Sequence, residues 1–391
     1  MSTEHSKRAA KFTADVEKTT WHDATFWSVR QKRDKMAHEL PEWEELRELA
    51  SEIKMHTITH LADYLDVFSK NLESRGVKVH WAKDAQEFNE IVLGILNDHH
   101  VKKMVKSKSM LTEECEMNPY LEKHGIDVVE TDLGERIIQL LGQKPSHIVM
   151  PAIHLKREEV GKMFEEKGIS KEIGNYDPTY LTRCARHHLR NQFIEAGAGM
   201  TGCNFGVAET GDCVVCTNEG NADMTTSMPK LHIVAMSIEK LVPDYKSLAV
   251  FQRLLCRCGT GQPTTAFTSH FRQARPGAEM HVVLVDNGRS DILADKDHWQ
   301  TLKCMRCGAC MNTCPVYRRS GGYSYTYFIP GPVGVNLGML KNPQKYADNV
   351  SACTLCLSCD NVCPSKVGPG SQIYVWRQSL DRLGKANPIK K

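Results

Sequence analysis

Apolar positions change their spacing several times between residues 76 and 200, and the changes predict alternating strands and helices. Val77–Ala82 is a strand-sized apolar run, and Asp84–Asn97 then shows helical periodicity with one apolar face. That face consists of Phe88, Ile91, Val92 and Ile95. Further strand-sized runs are Val101–Val105, Ile126–Glu130 and His147–Pro151, and further helical stretches are Thr112–His124, Leu133–Leu141, Lys156–Lys167 and Pro178–Ala196. This alternation predicts an α/β fold with a parallel sheet covered by helices.

The segments before residue 76 and after residue 200 have different residue patterns. Residues 1–75 are polar and helical in pattern, with candidate helices at Asp23–Leu40 and Pro41–Ser69. We expect Trp21, Phe26 and Trp27 to pack this region onto the main domain. After residue 200 the strand-sized runs are Phe205–Val207, Asp212–Thr217, Leu231–Ala235 and Met280–Val285, and we expect the sheet to continue through them. We therefore divide the chain into a helical region (1–75), an α/β domain (76–300), a cysteine-rich domain (301–370) and a short tail (371–391).

Composition narrows the class of protein. Of 391 residues, 41% are hydrophobic and 25% are charged, as in ordinary soluble proteins. The formal net charge of +3 gives no reason to expect a nucleic-acid partner. The N-terminus lacks the apolar stretch of a secretory signal, and no apolar run approaches the length of a membrane span. Fifteen cysteines in such a chain predict a reducing cytoplasm and metal chemistry, with peripheral membrane association left open.

One cysteine pattern occurs twice near the C-terminus. Runs that begin at Cys304 and Cys353 both read C-x2-C-x2-C-x3-C and are followed by proline. With this spacing one chain holds two [4Fe–4S] clusters, because three thiolates of a run bind one cluster and the fourth binds the other. We therefore predict two [4Fe–4S] clusters in a ferredoxin-like α-helical domain. The first cluster is assigned to Cys304, Cys307, Cys310 and Cys363, and the second to Cys314, Cys353, Cys356 and Cys359.

Structural zinc and disulfides are the alternatives for these cysteines. Zinc prefers two C-x2-C pairs separated by a longer loop, which differs from a triplet closed by C-x3-C-P. Disulfides are not expected in a chain without an export signal. Two clusters that share their runs in this crossed way are close neighbours, and this proximity suits electron relay better than a purely structural role.

Several segments resemble those of the lactate-utilisation, or LUD, domain. They are KSKSMLTEE (Lys106–Glu114), VVETDLGERIIQL (Val128–Leu140), SHIVMPAIH (Ser146–His154), GVAETGDCVVCTNEGN (Gly206–Asn221) and HVVLVDNGRSDILAD (His281–Asp295). They are followed by CMRCGACMNTCPVYRRSGGYSY (Cys304–Tyr325). In this order they make the chain similar to the lactate utilisation protein B family of iron–sulfur subunits over about residues 20–370.

The resemblance implies a fold, an activity and partners. The LUD fold is similar to the NagB/RpiA/CoA-transferase superfamily. Members of the family work with two companion subunits, one with cysteine-rich CCG repeats and one small LUD-domain protein. Together the subunits support oxidation of L-lactate to pyruvate. The residues themselves indicate an α/β domain and a redox relay but do not name lactate.

Three residues of the LUD region are candidate catalytic groups. Lys106 and Lys108 flank a strand end, where a parallel sheet commonly meets an anion such as a carboxylate or phosphate. Glu209 could act as a base toward a 2-hydroxy acid. The alternatives are solvated lysines on a loop and ordinary turn chemistry.

Three other features favour structural interpretations. Gly197–Gly202 matches G-x-G-x-x-G, but without a strand before it and a helix after it we expect a glycine-rich turn at a sheet edge. His154 is either an acid–base group or metal ligand, or a structural or solvated histidine. Cys203 and Cys256–Cys258 could meet and bind an extra metal, although buried free thiols are commoner.

Three hypotheses for function remain open. The first is an electron-transfer subunit that passes electrons from 2-hydroxy acid oxidation through two clusters. The second is a catalytic subunit with a substrate or organic cofactor pocket in the LUD domain, although no convincing flavin motif is present. The third is a docking module that carries clusters.

Overall fold

The computed structural model describes residues 3–383 and has the mixed α/β architecture that the sequence predicted. Its first helices are α1 (Glu4–Thr13), α2 (Val16–His38), α3 (Trp43–Thr59), α4 (Leu61–Glu73), α5 (Ala85–Asp98), α6 (Met110–Glu114), α7 (Met117–Lys123), α8 (Leu133–Leu140), α9 (Arg157–Glu166) and α10 (Pro178–Glu195). The later helices are α11 (Asn221–Ser227), α12 (Tyr245–Gly259), α13 (Arg289–Ala294), α14 (Ala309–Thr313), α15 (Pro315–Ser320), α16 (Gly331–Lys341), α17 (Pro343–Ala352), α18 (Ser358–Val362) and α19 (Pro369–Arg382). The strands are β1 (Lys78–Ala82), β2 (Lys103–Lys106), β3 (Asp127–Glu130), β4 (Ala198–Gly202), β5 (Phe205–Val207), β6 (Asp212–Thr217), β7 (Leu231–Ser237), β8 (Leu241–Val242), β9 (Phe267–Phe271) and β10 (Glu279–Val285). Short 3₁₀ helices cover Ile238–Lys240, Trp299–Lys303 and Gly322–Ser324.

The main sheet has six parallel strands in the order β1-β10-β7-β4-β2-β3. Strand β7 is buried along its whole length. Ile233 and Ala235 pack under α5 and α7, whereas Val234 and Met236 pack under α4, because successive side chains of a strand face opposite sides. Helices therefore cover both faces, which explains why the strands are nearly continuous hydrophobic runs.

A second sheet holds four strands in the order β8-β5-β6-β9. The predicted continuation of the main sheet is therefore confirmed for β7 and β10 but wrong for β5 and β6. These two strands form an antiparallel hairpin with Gly211 in the left-handed conformation at its turn. Their apolar residues Val207 and Val214 belong to a core with Leu46 of α3 and Phe251 of α12. The hairpin buries its apolar side against these helices and not within the main sheet.

The glycine-rich segment is a strand inside the main sheet, so the predicted turn at a sheet edge is wrong. Residues 198–202 form β4, which pairs with β2 on one side and β7 on the other. A Cβ atom at Gly199 would lie 1.8 Å from the carbonyl oxygen of Thr225. The glycine therefore lets α11 pack directly against the strand.

Two further predicted elements differ from the structure. The predicted strand at His147–Pro151 is a series of turns, in which Nδ1 of His147 accepts hydrogen bonds from the N–H groups of Val149 and Met150, both at 3.0 Å. The predicted helix at Thr112–His124 is divided into α6 and α7 by Glu116, whose φ of 50° ends one helix before the other begins.

The N-terminal helices bind the C-terminal domain as well as the α/β domain. Phe26 of α2 packs against Tyr317 and His147, with ring centroids 5.2 and 5.4 Å apart, whereas Trp27 is half exposed. On α3, Arg47 donates a hydrogen bond of 2.9 Å to the carbonyl oxygen of Cys363. These helices therefore fix the cysteine-rich region relative to the sheet.

Helices α14–α19 make up the C-terminal domain around its own apolar core. The predicted tail at 371–391 begins within α19, and its residues 384–391 lie outside the described part of the chain. Between residues 3 and 383, no helix combines the length and hydrophobicity that a membrane span requires.

Candidate metal centres and an adjoining cavity

Cysteines from both runs meet at one small cavity, which is lined by Cys304, Cys307, Cys310 and Cys363. Cys310 lies in α14, and Cys363 directly follows α18. Burial, and then the nearby thiolates of the other three cysteines, raises the pKa of Cys310 well above its usual range. The structure therefore places Cys363 beside the first run.

Cys314 lies beside the second run, just as Cys363 lies beside the first. Burial raises the pKa of Cys314 to about 11, and Cys353 and Cys356 add to the shift. Cys359 is buried within α18, and its raised pKa reflects burial and the nearby charges of Asp360, Cys310 and Cys314. Cys356 is exposed, unlike every cysteine at the first cavity.

The two runs share an unusual backbone. Left-handed residues are Arg306 (φ 63°) and Gly308 (φ 80°) in the first run, and Leu355 (φ 55°) and Leu357 (φ 56°) in the second. The N–H of Arg306 donates to Sγ of Cys304 at 3.4 Å, and the N–H of Leu355 donates to Sγ of Cys353 at 3.3 Å. The left-handed turns thus curl each run so that backbone donors point at sulfur.

The fourth cysteines of the runs are also alike. Cys314 and Cys363 both have φ −68° and ψ 118°, and each precedes a proline, which restricts the preceding residue to the extended region. Sγ of Cys314 accepts a hydrogen bond from the N–H of Tyr317 at 3.5 Å, and Sγ of Cys363 accepts one from Val367 at 3.3 Å. Each run therefore turns away after its third cysteine and presents the fourth to the other run.

The two centres lie next to each other. Thr313 in α14 and Ser358 in α18 join the runs through a hydroxyl–hydroxyl hydrogen bond of 2.7 Å. Two sets of four thiols with this spacing fit [4Fe–4S] clusters, which are held by cysteine thiolates.

An extra metal site at Cys203 and Cys256–Cys258 stays a prediction, and Cys203 and Cys256 both lie near Cys216. Within residues 3–383, the group whose ligand atoms lie within 4.8 Å of one another is His99, Glu279 and His281, which contains no cysteine. Cys203 is hydrogen-bonded to Cys213, and Cys258 is hydrogen-bonded to Cys307 of the first run. Cys258 thus lies beside the first centre as a buried thiol.

A larger cavity of about 590 Å³ separates the main sheet from the first centre. It lies at the carboxyl ends of the parallel strands, and the residues after β2, β3, β4, β7 and β10 all contribute to its wall. This is the edge at which open α/β sheets bind ligands. Cys307 and Ile148 line both this cavity and the small cavity of the first centre. An occupant of the large cavity would therefore adjoin a cysteine of the first centre.

The side of the cavity near the first centre is basic. It includes Lys240, Arg289 and Arg306. Arg289 is bound to Glu114 through an Nη2–Oε2 hydrogen bond of 2.6 Å, and its Nε lies 3.4 Å from Glu239. Burial acts to raise the pKa of Glu239, but these three cations lower it to about 2. Glu239 is therefore ionised, and together with Glu114 it balances two of the three positive charges.

The part of the cavity wall that follows β2 and β3 is acidic. The ammonium of Lys108 forms an ion pair of 2.6 Å with Glu135. The carboxylate of Asp132 accepts hydrogen bonds from the backbone N–H of Lys108 at 2.6 Å and from the Asn221 amide at 2.7 Å. Burial raises the pKa of Asp132 to about 6. Asp132 can therefore exchange a proton near neutral pH.

The structure does not bring the three candidate catalytic residues together. Lys108 lines the cavity, but Lys106 and Glu209 are absent from its wall. Lys106 is completely buried and paired with Glu130 at 2.6 Å and Glu113 at 3.1 Å, so its charge is neutralised within the fold. Glu209 is exposed on the loop between β5 and β6. Strand alternation would place residues 106 and 108 on the same face, but β2 ends at Lys106. The loop that follows directs Lys108 to the cavity instead.

His154 occupies a structural position. It is buried, and its ring nitrogens contact Ser146 at 2.7 Å and Gln143 at 3.1 Å. Burial lowers the pKa of His154 to about 4. The ring is therefore neutral near physiological pH and fully engaged in hydrogen bonds.

Sequence analysis missed the basic side of the cavity. Lys240 follows β7, and Arg289 follows β10, in the same way that Lys108 follows β2. Applying the rule for carboxyl strand ends to every predicted strand would have found both residues. Arg306 could not be found in this way, because it comes from the cysteine run and reaches the cavity only through tertiary packing.

The fold and the cysteine centres can be compared with known domain families, and two families match. Residues 65–290 match the LUD domain, and residues 300–367 match the 4Fe-4S dicluster domain. The chain is thus an iron–sulfur protein in which a LUD domain precedes a dicluster domain.

Curated relatives then identify the family. Lactate utilization protein B of Macrococcus caseolyticus is 42% identical over 348 residues, which cover 87% of this chain and 72% of that protein. Lactate utilization protein B of Bacillus pumilus is 43% identical over 364 residues, which cover 91% of this chain and 76% of that protein. The chain belongs to the lactate utilization protein B family. A solved DUF162 family protein from Deinococcus radiodurans matches 57% of this chain and 98% of its own length, with 13% identity and a TM-score of 0.32.

Proposed function

We propose that this protein is the electron-transfer subunit of a complex that oxidises L-lactate to pyruvate, and that it carries two [4Fe–4S] clusters. The observation that carries the proposal is the position of the two four-cysteine centres. They adjoin each other, the first lies beside the large cavity, and the second includes the exposed Cys356. Each [4Fe–4S] cluster takes up and releases one electron at a time, so this arrangement supports a path from the protein interior to its surface.

The chain's own residues support a redox role for the centres. Backbone N–H groups donate to the sulfur atoms of both runs, and such hydrogen bonds tune cluster potentials. Arg306 lies in the first run, and Arg377 donates to the carbonyl of Cys353 in the second. A cation beside an anionic cluster favours its reduced form, because reduction adds negative charge.

The surface near the second centre supports docking of a redox partner. Leu357 is 43% exposed, and Tyr374 in the adjacent α19 is 51% exposed. Leu357 lies close to Gly370 at the start of that helix. We propose that the CCG-repeat subunit or the small LUD-domain subunit of the same complex binds here, in the cytoplasm, and that no nucleic acid is involved.

The test is EPR spectroscopy of the anaerobically purified protein, combined with iron and sulfide analysis. We expect about eight iron atoms per chain and, after dithionite reduction, two magnetically interacting [4Fe–4S] spectra. About four iron atoms, or stoichiometric zinc in place of iron, would contradict the two-cluster proposal.

A second candidate function is catalysis in the LUD domain itself. The observation that favours it is the contact of Cys307 with the large cavity, because a substrate bound there would adjoin the first centre. Conversion of lactate to pyruvate releases two electrons and two protons, and two clusters could take one electron each. Adding L-lactate to the isolated protein distinguishes the candidates. A reduced-cluster EPR signal with lactate alone places oxidation in this chain, whereas a signal only with dithionite leaves oxidation to a partner.

A further inference from the structure

We propose that the large cavity is a binding site for an organic anion, whose carboxylate or phosphate group is bound by Lys240 and Arg306. The anion would then lie next to Cys307. The inference rests on the proposed function in one respect: it takes the bound anion to exchange electrons with the first centre.

Lys240 is a cation of the cavity wall that forms no direct ion pair, although Glu239 and Cys304 act on it through space. It lines the cavity, and among the described residues no carboxylate lies within 4.0 Å of its ammonium group. Burial lowers the pKa of Lys240 from its usual range. An anion in the cavity would offset this penalty, because a nearby negative charge favours the charged form of a lysine.

The backbone that carries Lys240 is fixed from behind. The ammonium of Lys54 in α3 donates hydrogen bonds to the carbonyl oxygens of Glu239 and Leu241, the second at 3.2 Å. The residues on either side of Lys240 are therefore held by a buried side chain. Such preorganisation is expected of a binding group, because little side-chain and backbone freedom remains to be lost when a ligand arrives.

Arg306 supplies the second free donor. Its side chain is 12% exposed, and its Nη1 atom is buried without a hydrogen-bond partner. The nearest carboxylate, that of Glu239, lies 4.0 Å from Nη2 and is already engaged by Arg289. An unpaired buried donor is costly, so a fold that retains one gains by binding an acceptor there.

The remaining wall of the cavity favours an organic occupant over a simple ion. Ile148, Met150, Leu255 and Ile329 provide apolar surface. The volume of about 590 Å³ lies within the range of roughly 300–1,000 Å³ that is usual for small-molecule sites. A free inorganic anion would leave most of this surface without contacts. The body of the ligand is therefore expected to lie against these residues, with its charged group toward the two cations.

Access to the cavity is through its rim. Asn218 and Glu219 are exposed and line the cavity. The side chain of Asn218 binds the Gln262 amide oxygen at 2.7 Å and the N–H of Ala266 at 3.0 Å, and so ties the loop after β6 to the loop before β9.

Calorimetric titration of the cluster-loaded full chain tests the proposal. The probes are pyruvate, as a carboxylate that is not oxidised further, flavin mononucleotide, as a phosphate-bearing redox cofactor, and inorganic phosphate. We expect pyruvate or flavin mononucleotide to bind with one-to-one stoichiometry and more tightly than inorganic phosphate. Tighter pyruvate binding identifies a substrate site, and tighter flavin binding identifies a cofactor site.

The matched variants are Lys240→Gln and Lys230→Gln, which remove lysines at opposite ends of β7. Lys230 is exposed and far from the carboxyl edge of the sheet. Lys240→Gln should weaken binding by at least about tenfold, the loss expected for a hydrogen bond to a charged group, whereas Lys230→Gln should leave it unchanged. Lys240→Arg, which keeps the charge, should restore most of the affinity.

A measurement on the unaltered chain covers the case in which the variants fail to fold. Lys240 should be protected from acetylation by the bound probe, as read by mass spectrometry, whereas Lys230 should not be. The proposal is overturned if neither organic anion binds, if inorganic phosphate binds as tightly as both, if Lys240→Gln binds like the unaltered chain, or if acetylation of Lys240 is unchanged by the probe that binds. Two-cluster EPR spectra together with absent binding would reject this inference and leave the electron-transfer function standing.

Discussion

The two cysteine runs have the same sequence spacing and nearly the same backbone, yet they lie in different surroundings. The first run adjoins the large cavity, and Cys258 of α12 contacts its Cys307. Arg47 of α3 contacts Cys363, the cysteine of the second run that lies at the first centre. The second run lies near the surface, where Cys356 and Leu357 are exposed. The same cysteine spacing is thus found in two different structural environments. The first centre therefore faces the LUD domain, whereas the second lies near the surface.

We expect the largest effect from losing the proposed crossed ligation, in which the fourth cysteine of each run binds the cluster of the other run. Cys363→Ser should remove the first cluster and Cys314→Ser the second, and each should lose about four of roughly eight iron atoms per chain. Iron analysis and EPR of the reduced variants check this. Loss of the second cluster in Cys363→Ser, with the first retained, would show that each run ligates its own cluster.

Acid should affect the first centre more than the second. His147 packs against Gly308 of the first run, and burial lowers the pKa of His147 to about 3. Because this value is below the unfolded value of about 6.5, the stability from the neutral ring is present above pH 6.5 and lost as the pH falls. Between about pH 7 and pH 5 the loss is about 2 kcal/mol.

Urea unfolding of the cluster-loaded protein at these two pH values, followed by EPR of the first centre, measures the effect. His147→Gln should reduce the pH dependence by that amount, whereas the exposed His187→Gln should not. An equal pH dependence in His147→Gln and the unaltered chain would mean that His147 does not set the acid sensitivity.

Gly308 and Leu357 occupy equivalent left-handed positions in the two runs. Adding a side chain at position 308 and removing the one at position 357 tests how much each run depends on this position. Gly308→Ala places a Cβ 3.0 Å from Cε1 of His147 and adds left-handed strain, so it should destabilise the first centre by about 1–2 kcal/mol. Leu357→Gly removes such strain but adds unfolded-state entropy, so its net effect should be less than about 1 kcal/mol. Urea midpoints for bleaching of the clusters measure both variants, and a larger loss in Leu357→Gly would reverse the expected order.

The smallest expected effect concerns the matching pair Arg306 and Leu355. Arg306→Leu should lower the reduction potential of the first cluster by tens of millivolts, because a positive charge beside the cluster is removed. Leu355→Arg should raise the potential of the second cluster. EPR-monitored redox titrations report both values, and a potential of the first cluster that is unchanged in Arg306→Leu would show that the guanidinium is too well screened to tune it.

The errors of sequence analysis have a common physical cause. The parallel sheet was predictable because buried strands and amphipathic helices produce characteristic patterns of apolar residues along the sequence. The strand at Ala198–Gly202 was missed because glycine adds nothing to the pattern of apolar side chains. The glycine at position 199 instead allows α11 to pack against the strand. Lys106 was chosen for its position at a strand end, but burial against Glu130 gives it a structural role that local pattern does not reveal.

The sequence by itself determined the fold class, the LUD and dicluster regions, and which cysteines are available to hold iron. It did so because strand and helix periodicity and the short spacing of ligands are local properties. Only the tertiary structure decided that Cys307 lines both cavities, that Lys240 and Arg306 meet there, and that the second run lies at the surface. These facts depend on how α2, α3 and α12 dock the C-terminal domain on the sheet, and contacts between residues far apart in the chain leave no periodic signal within it.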